Sequence, residues 1–112
     1  MPTNEFIDLD NALKRLNGDK NILKMLINMF LEGNTVPLLE TALNQQDYKT
    51  AEEHSHALKG IAGNLSLTLL CNAVTRLNNE LKQGSLSSQA VEEYYTVVRE
   101  TIGALNDITS TL

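Results

Sequence analysis

Leu67-Thr68-Leu69-Leu70-Cys71-Asn72-Ala73-Val74-Thr75-Arg76-Leu77-Asn78-Asn79-Glu80-Leu81 sets Leu67, Leu70, Val74, Leu77 and Leu81 in alternating steps of three and four. That spacing keeps one stripe of a helix apolar along its length, as in the seam of a bundle helix. Gln83-Gly84 ends this helix, and Ser87 or Ser88 is placed to cap another carrying Val91, Tyr94, Tyr95, Val98, Ile102, Leu105 and Ile108. Upstream, a helix runs from about Tyr48 to Asn64, after a turn at Gln45-Gln46-Asp47. Before that, Ile22, Leu23, Leu26, Ile27, Met29 and Phe30 predict a helix capped by Asp19, with a stripe broad enough for burial on more than one side. Gly33-Asn34, followed by Pro37, kinks or breaks it, and Val36, Leu39, Ala42 and Leu43 resume the pattern. A short first helix fits Asp8 to Leu16, closed by Asn17-Gly18. Strand patterns are nearly absent. Short connections favour antiparallel neighbours. The expected fold is therefore all-α: an antiparallel up-and-down four-helix bundle with a short extra N-terminal helix, one domain over residues 1–112.

Composition narrows the function. The 112 residues are 42% apolar, enough for one core. No run approaches the length of a membrane span, and the opening Met1-Pro2-Thr3-Asn4-Glu5 lacks the basic and then apolar stretches of a leader. The single cysteine, Cys71, excludes an internal disulfide, fits a reducing cytoplasm and reads as a small core hydrophobe. The net charge is −5 and the nine Lys and Arg residues are scattered, which argues against nucleic acid as a partner. There is no Gly-rich phosphate loop and no zinc-type spacing.

The run Glu52-Glu53-His54-Ser55-His56-Ala57-Leu58-Lys59-Gly60-Ile61-Ala62-Gly63-Asn64 holds the candidate chemistry. Wound at about 100° per residue, it puts Leu58, Ile61, Ala62 and Leu65 within roughly 60° of the pole opposite His56, so His56 faces solvent. Gly60 lies about 40° to one side of His56 and Gly63 about 20° to the other. Both positions that would overhang the imidazole lack a side chain, although each glycine costs a helix about 1 kcal/mol relative to alanine. A partner that must bring a large surface close to the ring benefits from that clearance; the isolated fold does not. Lys59 puts a cation near the same spot. His54 points about 160° away, towards the edge of the core stripe, and reads as a packing residue.

The motif His56-Ala57-Leu58-Lys59-Gly60-Ile61-Ala62-Gly63-Asn64-Leu65-Ser66 resembles the signature of histidine phosphotransfer domains of bacterial phosphorelays. The resemblance extends to Phe6–Asp19 and to the helix from Leu67 to Leu81, and weakens after about Gly84. It implies a phosphocarrier, with no ATP site of its own, that takes a phosphoryl group from the aspartate of one response-regulator receiver domain onto His56 Nε2 and gives it to the aspartate of another. Any Mg²⁺ then belongs to the receiver, and this chain carries no cofactor. Lys59 is expected to neutralise phosphoryl oxygens, and Gly60, Gly63, Asn64 and Ser66 to border the docked partner. The family position that orients the imidazole falls on Asn78, shorter than the usual Gln or Glu, and Ser66 stands where the family usually has glycine. Ile7, Leu9 and Met29 are candidate apolar docking residues, since the first two helices lie beside the histidine in such domains. The resemblance also implies a monomer in the cytoplasm without direct membrane contact, either free-standing or as the C-terminal module of an inner-membrane hybrid sensor kinase.

Other readings fit less well. Glu53-x-x-His56 matches the spacing of di-iron bundles, but those need a second such motif, and the only other histidine cannot supply it. No metal site is expected. The dimerising hairpin of a sensor kinase usually has an acidic residue after its histidine and a proline a few places on; here Ala57 follows, and no proline occurs after Pro37. The phosphoacceptor domain of a chemotaxis-type kinase and a non-catalytic adaptor that binds a receiver remain as alternatives.

Overall fold

Oxygen-bearing side chains start four of the helices. Asp8 accepts from the Asn11 N–H, Asp19 from those of Asn21 and Ile22, Asp47 from that of Thr50 and Ser87 from that of Ala90. The Thr50 contacts hold the Asp47 carboxyl below its ordinary value. The computed structural model describes residues 5–112 and contains six helices among them: α1 (Leu9–Arg15), α2 (Lys20–Glu32), α3 (Thr35–Asn44), α4 (Tyr48–Asn64), α5 (Thr68–Gln83) and α6 (Ser88–Thr109). The expectation of no leader rests largely on Met1-Pro2-Thr3-Asn4, which lie outside the described residues.

The bundle has four rods: α2 with α3, then α4, α5 and α6. Consecutive rods α3–α4, α4–α5 and α5–α6 pack on each other, and α6 returns against α2. The α5 seam is buried as its spacing demands, with Leu70, Val74 and Leu77 fully inside and Leu81 nearly so. Gly84 adopts the left-handed conformation (φ 69°), and its N–H and that of Ser85 close the end of α5. Ser87, rather than Ser88, caps α6, and Glu80 Oε1 accepts from both its N–H and its hydroxyl. Cys71 is half-buried and packs against the edge of the core.

The first rod departs from expectation in two ways. Lys20–Asn44 is long and apolar enough by length and composition to cross a membrane, with a mean hydropathy of 1.2 over its best window. However, Gly33 (ψ 171°) breaks it into helices of 13 and 10 residues. At 1.5 Å per residue these span about 20 and 15 Å, short of a hydrocarbon layer of about 30 Å. A Cβ at Gly33 would lie 2.8 Å from the Met29 carbonyl oxygen, so the break needs glycine. Pro37 sits in the first turn of α3, where no helical N–H is required. Second, α2 is not buried on more than one side. Only Leu23 and Ile27 are fully inside, while Ile22, Met25 and Met29 are 40, 54 and 62% exposed.

Glu40 ties α3 to α6. Its carboxylate accepts from the Tyr94 hydroxyl at 3.1 Å and takes two bonds from Arg99, at 2.6 and 3.0 Å. Arg99 also lies 5.8 Å over the Tyr95 ring. Burial, then the Glu40 charge and hydrogen bond, push the Tyr94 phenol far above its ordinary 10.0. Above pH 10 the unfolded chain therefore loses this proton while the folded chain keeps it, and stability falls as pH rises. Urea unfolding across that range is expected to show this decline, and Tyr94→Phe to relieve it by at most about 1.4 kcal/mol per pH unit. Equal slopes in parent and variant would contradict the Glu40–Tyr94 contact.

Candidate functional site

The α4 residues Ala51, Ser55, Leu58 and Ala62 face the core in steps of four, three and four. The opposite face leaves His56, Ala57, Gly60 and Asn64 exposed, with Lys59 and Gly63 half-buried. Among the described residues, no side chain hydrogen-bonds or ion-pairs with the His56 imidazole. A Cβ at Gly60 would meet nothing within 4 Å, and one at Gly63 would meet only Cys71 Sγ, at 4.0 Å. The fold itself has room for a side chain at both positions. His54 is half-buried, in keeping with a packing residue. Among the described residues no group of His, Cys, Asp and Glu side chains is arranged to hold a metal.

The turn between α4 and α5 ties the N-terminal segment to this helix. Ser66 has φ 58° and is 5% exposed. Its carbonyl accepts from the Asp8 N–H at 2.9 Å and its hydroxyl from Asn11 Nδ2 at 2.8 Å. Ser66 therefore faces α1 and is almost wholly buried, contrary to the docking role expected of it. Ile7 is likewise corrected: at 1% exposure it belongs to the core. Leu9 is half-buried and packs against that core. One contact escaped the sequence reading: Arg15 Nη1 donates to the Gly63 carbonyl at 3.0 Å. That places a second cation about 10 Å along α4 from His56.

Asn78 does not reach the imidazole. It is fully buried, and its Nδ2 donates to Ser55 Oγ at 2.8 Å and to the Glu52 carbonyl at 3.0 Å, while Oδ1 has no partner. The shortness of asparagine accounts for this: it spans to the near side of α4 and stops there. An unpartnered buried amide oxygen costs about 1–3 kcal/mol.

Towards the C-terminal end of α4, α2 and α4 line an apolar groove of about 340 Å³ bordered by Leu26, Met29, Phe30, Ile61, Asn64 and Leu65. Of the three expected apolar docking residues, only Met29 lies here with an open side chain. Ile22 and Met25 extend the exposed apolar face along α2 at helical spacing.

The arrangement is an accessible imidazole on a bundle helix, with a cation one turn on, two glycines with room for a side chain, and an apolar groove near the C-terminal end of the same helix. The Hpt domain model matches residues 26–108, and the chain belongs to the Hpt domain family. Domains of this family perform histidine phosphotransfer in the phosphorelays of two-component signalling and interact with response-regulator receiver domains. No curated protein and no solved structure matches the chain.

The Ser66 geometry is open to a direct test. Ser66→Ala keeps the left-handed backbone but loses the Asn11 bond, and is expected to cost about 1 kcal/mol. Ser66→Gly loses the same bond but relieves about 1 kcal/mol of backbone strain, and is expected to stay within about 0.5 kcal/mol of the parent. Urea denaturation midpoints separate the two, and a less stable glycine variant would contradict the left-handed conformation.

Proposed function

We propose that His56 is the phosphoacceptor and that the chain relays a phosphoryl group from the aspartate of one receiver domain to the aspartate of another. The observation that carries this reading is the exposure of His56 on a helix face whose neighbouring positions, Gly60 and Gly63, are left open at no steric demand of the fold. The Nε2 lone pair of the neutral ring attacks the aspartyl phosphorus. An N–P bond forms as the P–O bond breaks, and the electron pair returns to the aspartate as carboxylate. The Nδ1 proton stays on the ring, so the phosphorylated imidazole is cationic and a good leaving group for the second transfer. Phosphoryl transfer depends on in-line positioning and charge stabilisation more than on covalent work by the protein.

Lys59 neutralises the transferred phosphoryl oxygens. Gly60 and Gly63 let the receiver's acidic pocket come down over the ring. Asn64 and the groove around Met29 take the receiver's apolar docking surface, and the open α2 face supplies adaptable methionine contacts suited to two different receivers. The chain acts as a monomer in the cytoplasm, where Hpt domains typically work, either alone or as a module of a hybrid sensor kinase.

Incubation with a radiolabelled phospho-receiver is expected to place an acid-labile, base-stable label on the parent and none on His56→Gln. The variant should remain folded, within about 0.5 kcal/mol of the parent, because the side chain is exposed. A labelled variant would move the acceptor elsewhere. A folded parent that binds the receiver but takes no label would favour the adaptor reading.

Gly60→Ala separates fold from function. The added methyl meets no atom of this chain, so the helix is expected to gain up to about 1 kcal/mol. Transfer is expected to slow at least tenfold, because the methyl stands in the receiver's approach. A variant both more stable and fully active would show that the clearance serves no partner.

A further inference from the structure

Asn78 and Ser55 form a polar pair, each with no exposed surface, inside an otherwise apolar α4–α5 contact. Both donate to one acceptor: the Glu52 carbonyl takes Asn78 Nδ2 at 3.0 Å and Ser55 Oγ at 3.0 Å. By the i→i−4 rule of the α-helix, that carbonyl is also the partner of the His56 N–H. The pair thus holds the peptide group that accepts the His56 N–H. It does so at a cost in stability, because Asn78 Oδ1 is buried without a partner. A leucine at position 78, next to Leu77 in the α5 seam, would fill the same space without that cost.

We infer that Asn78 and Ser55 are positioning residues, locking the rotation of α4 about its axis at the turn that presents His56. The inference rests on His56 as the phosphoacceptor. Ser55 and His56 are adjacent, so they diverge by about 100°, one towards α5 and the other towards solvent. Fixing the first fixes the direction of the second. A slip of about 20° would carry an atom about 6 Å from the helix axis through about 2 Å. A misplacement of about 1 Å is enough to cost on the order of a hundredfold in a reaction that depends on alignment. A purely apolar interface resists such a slip less well, since apolar contact is not directional. Asn78 therefore acts on the imidazole through the α4 backbone, without touching the ring.

The test replaces both polar partners together. Ser55→Ala/Asn78→Leu removes the hydrogen bonds without leaving either partner unpaired, so the fold is expected to survive. Single-turnover transfer from a phosphorylated receiver is expected to show a limiting rate reduced about tenfold, with the half-saturating receiver concentration within twofold of the parent. Amide exchange at His56 is expected to speed up at least tenfold while the global unfolding midpoint holds. A folded double variant with the parent's limiting rate and the parent's His56 protection would overturn the inference and leave the pair as core filling. If the double variant does not fold, Ser55→Ala alone decides, with about a threefold slower limiting rate expected and an unchanged rate overturning. A parent that takes no label at His56 is a different failure, because it removes the acceptor itself.

Discussion

The packing of α4 on α5 decides which residues of α4 meet water. Ser55, Leu58 and Ala62 on one side and Leu70, Val74 and Leu77 on the other are all fully buried. With that stripe committed, the 100° step of the helix leaves His56 no direction but outward. The outward direction of the imidazole is thus a consequence of core formation. The remaining rods complete the burial: α3 closes on α4, and Glu40 ties α3 to α6 through Tyr94 and Arg99. The short α1 is held down by the Ser66 turn, so the end of α4 beyond the glycines is braced from a second side.

Among the described residues, half of the exposed large apolar side chains lie on one helix, α2. Ile22, Met25 and Met29 share the outer side of α2, and Met29 also rims the groove that reaches across to Ile61 and Asn64 on α4. A helix with so much open apolar area contributes less to folding than its composition suggests. Two cations belong to the histidine helix: Lys59 on α4 itself, and Arg15 bonded to the Gly63 carbonyl.

Periodicity made most of this legible. The steps of three and four in α5, the caps at Asp8 and Asp19, the choice of Ser87 or Ser88 to start α6, and the stops at Gly33 and Gly84 all lie where sequence spacing puts them, whereas Asp47 was legible only as part of a turn and proves to be a cap. So does the outward direction of His56, because it follows from the period of a single helix. What escaped depends on contacts between distant elements. The broad stripe of α2 looks the same in sequence whether two of its sides are buried or one. Ile7 and Ser66 lie outside helices, where no period says which way a side chain points, and the left-handed φ of Ser66 has no signal in a serine. Asn78 stood at the expected distance along the chain from His56, but the length of its side chain decided that it would meet Ser55 and the Glu52 carbonyl.

On the proposed reading, His56 alone of the two histidines carries the phosphoryl group. The most direct measurement removes partner choice altogether: phosphorylate the intact chain with a small donor such as phosphoramidate, then locate the group by mass spectrometry and by ³¹P and ¹⁵N NMR. A single modified residue is expected, His56, substituted at Nε2, with half-buried His54 untouched. Modification of His54, an equal division between the two, or a folded chain that takes up none would contradict it.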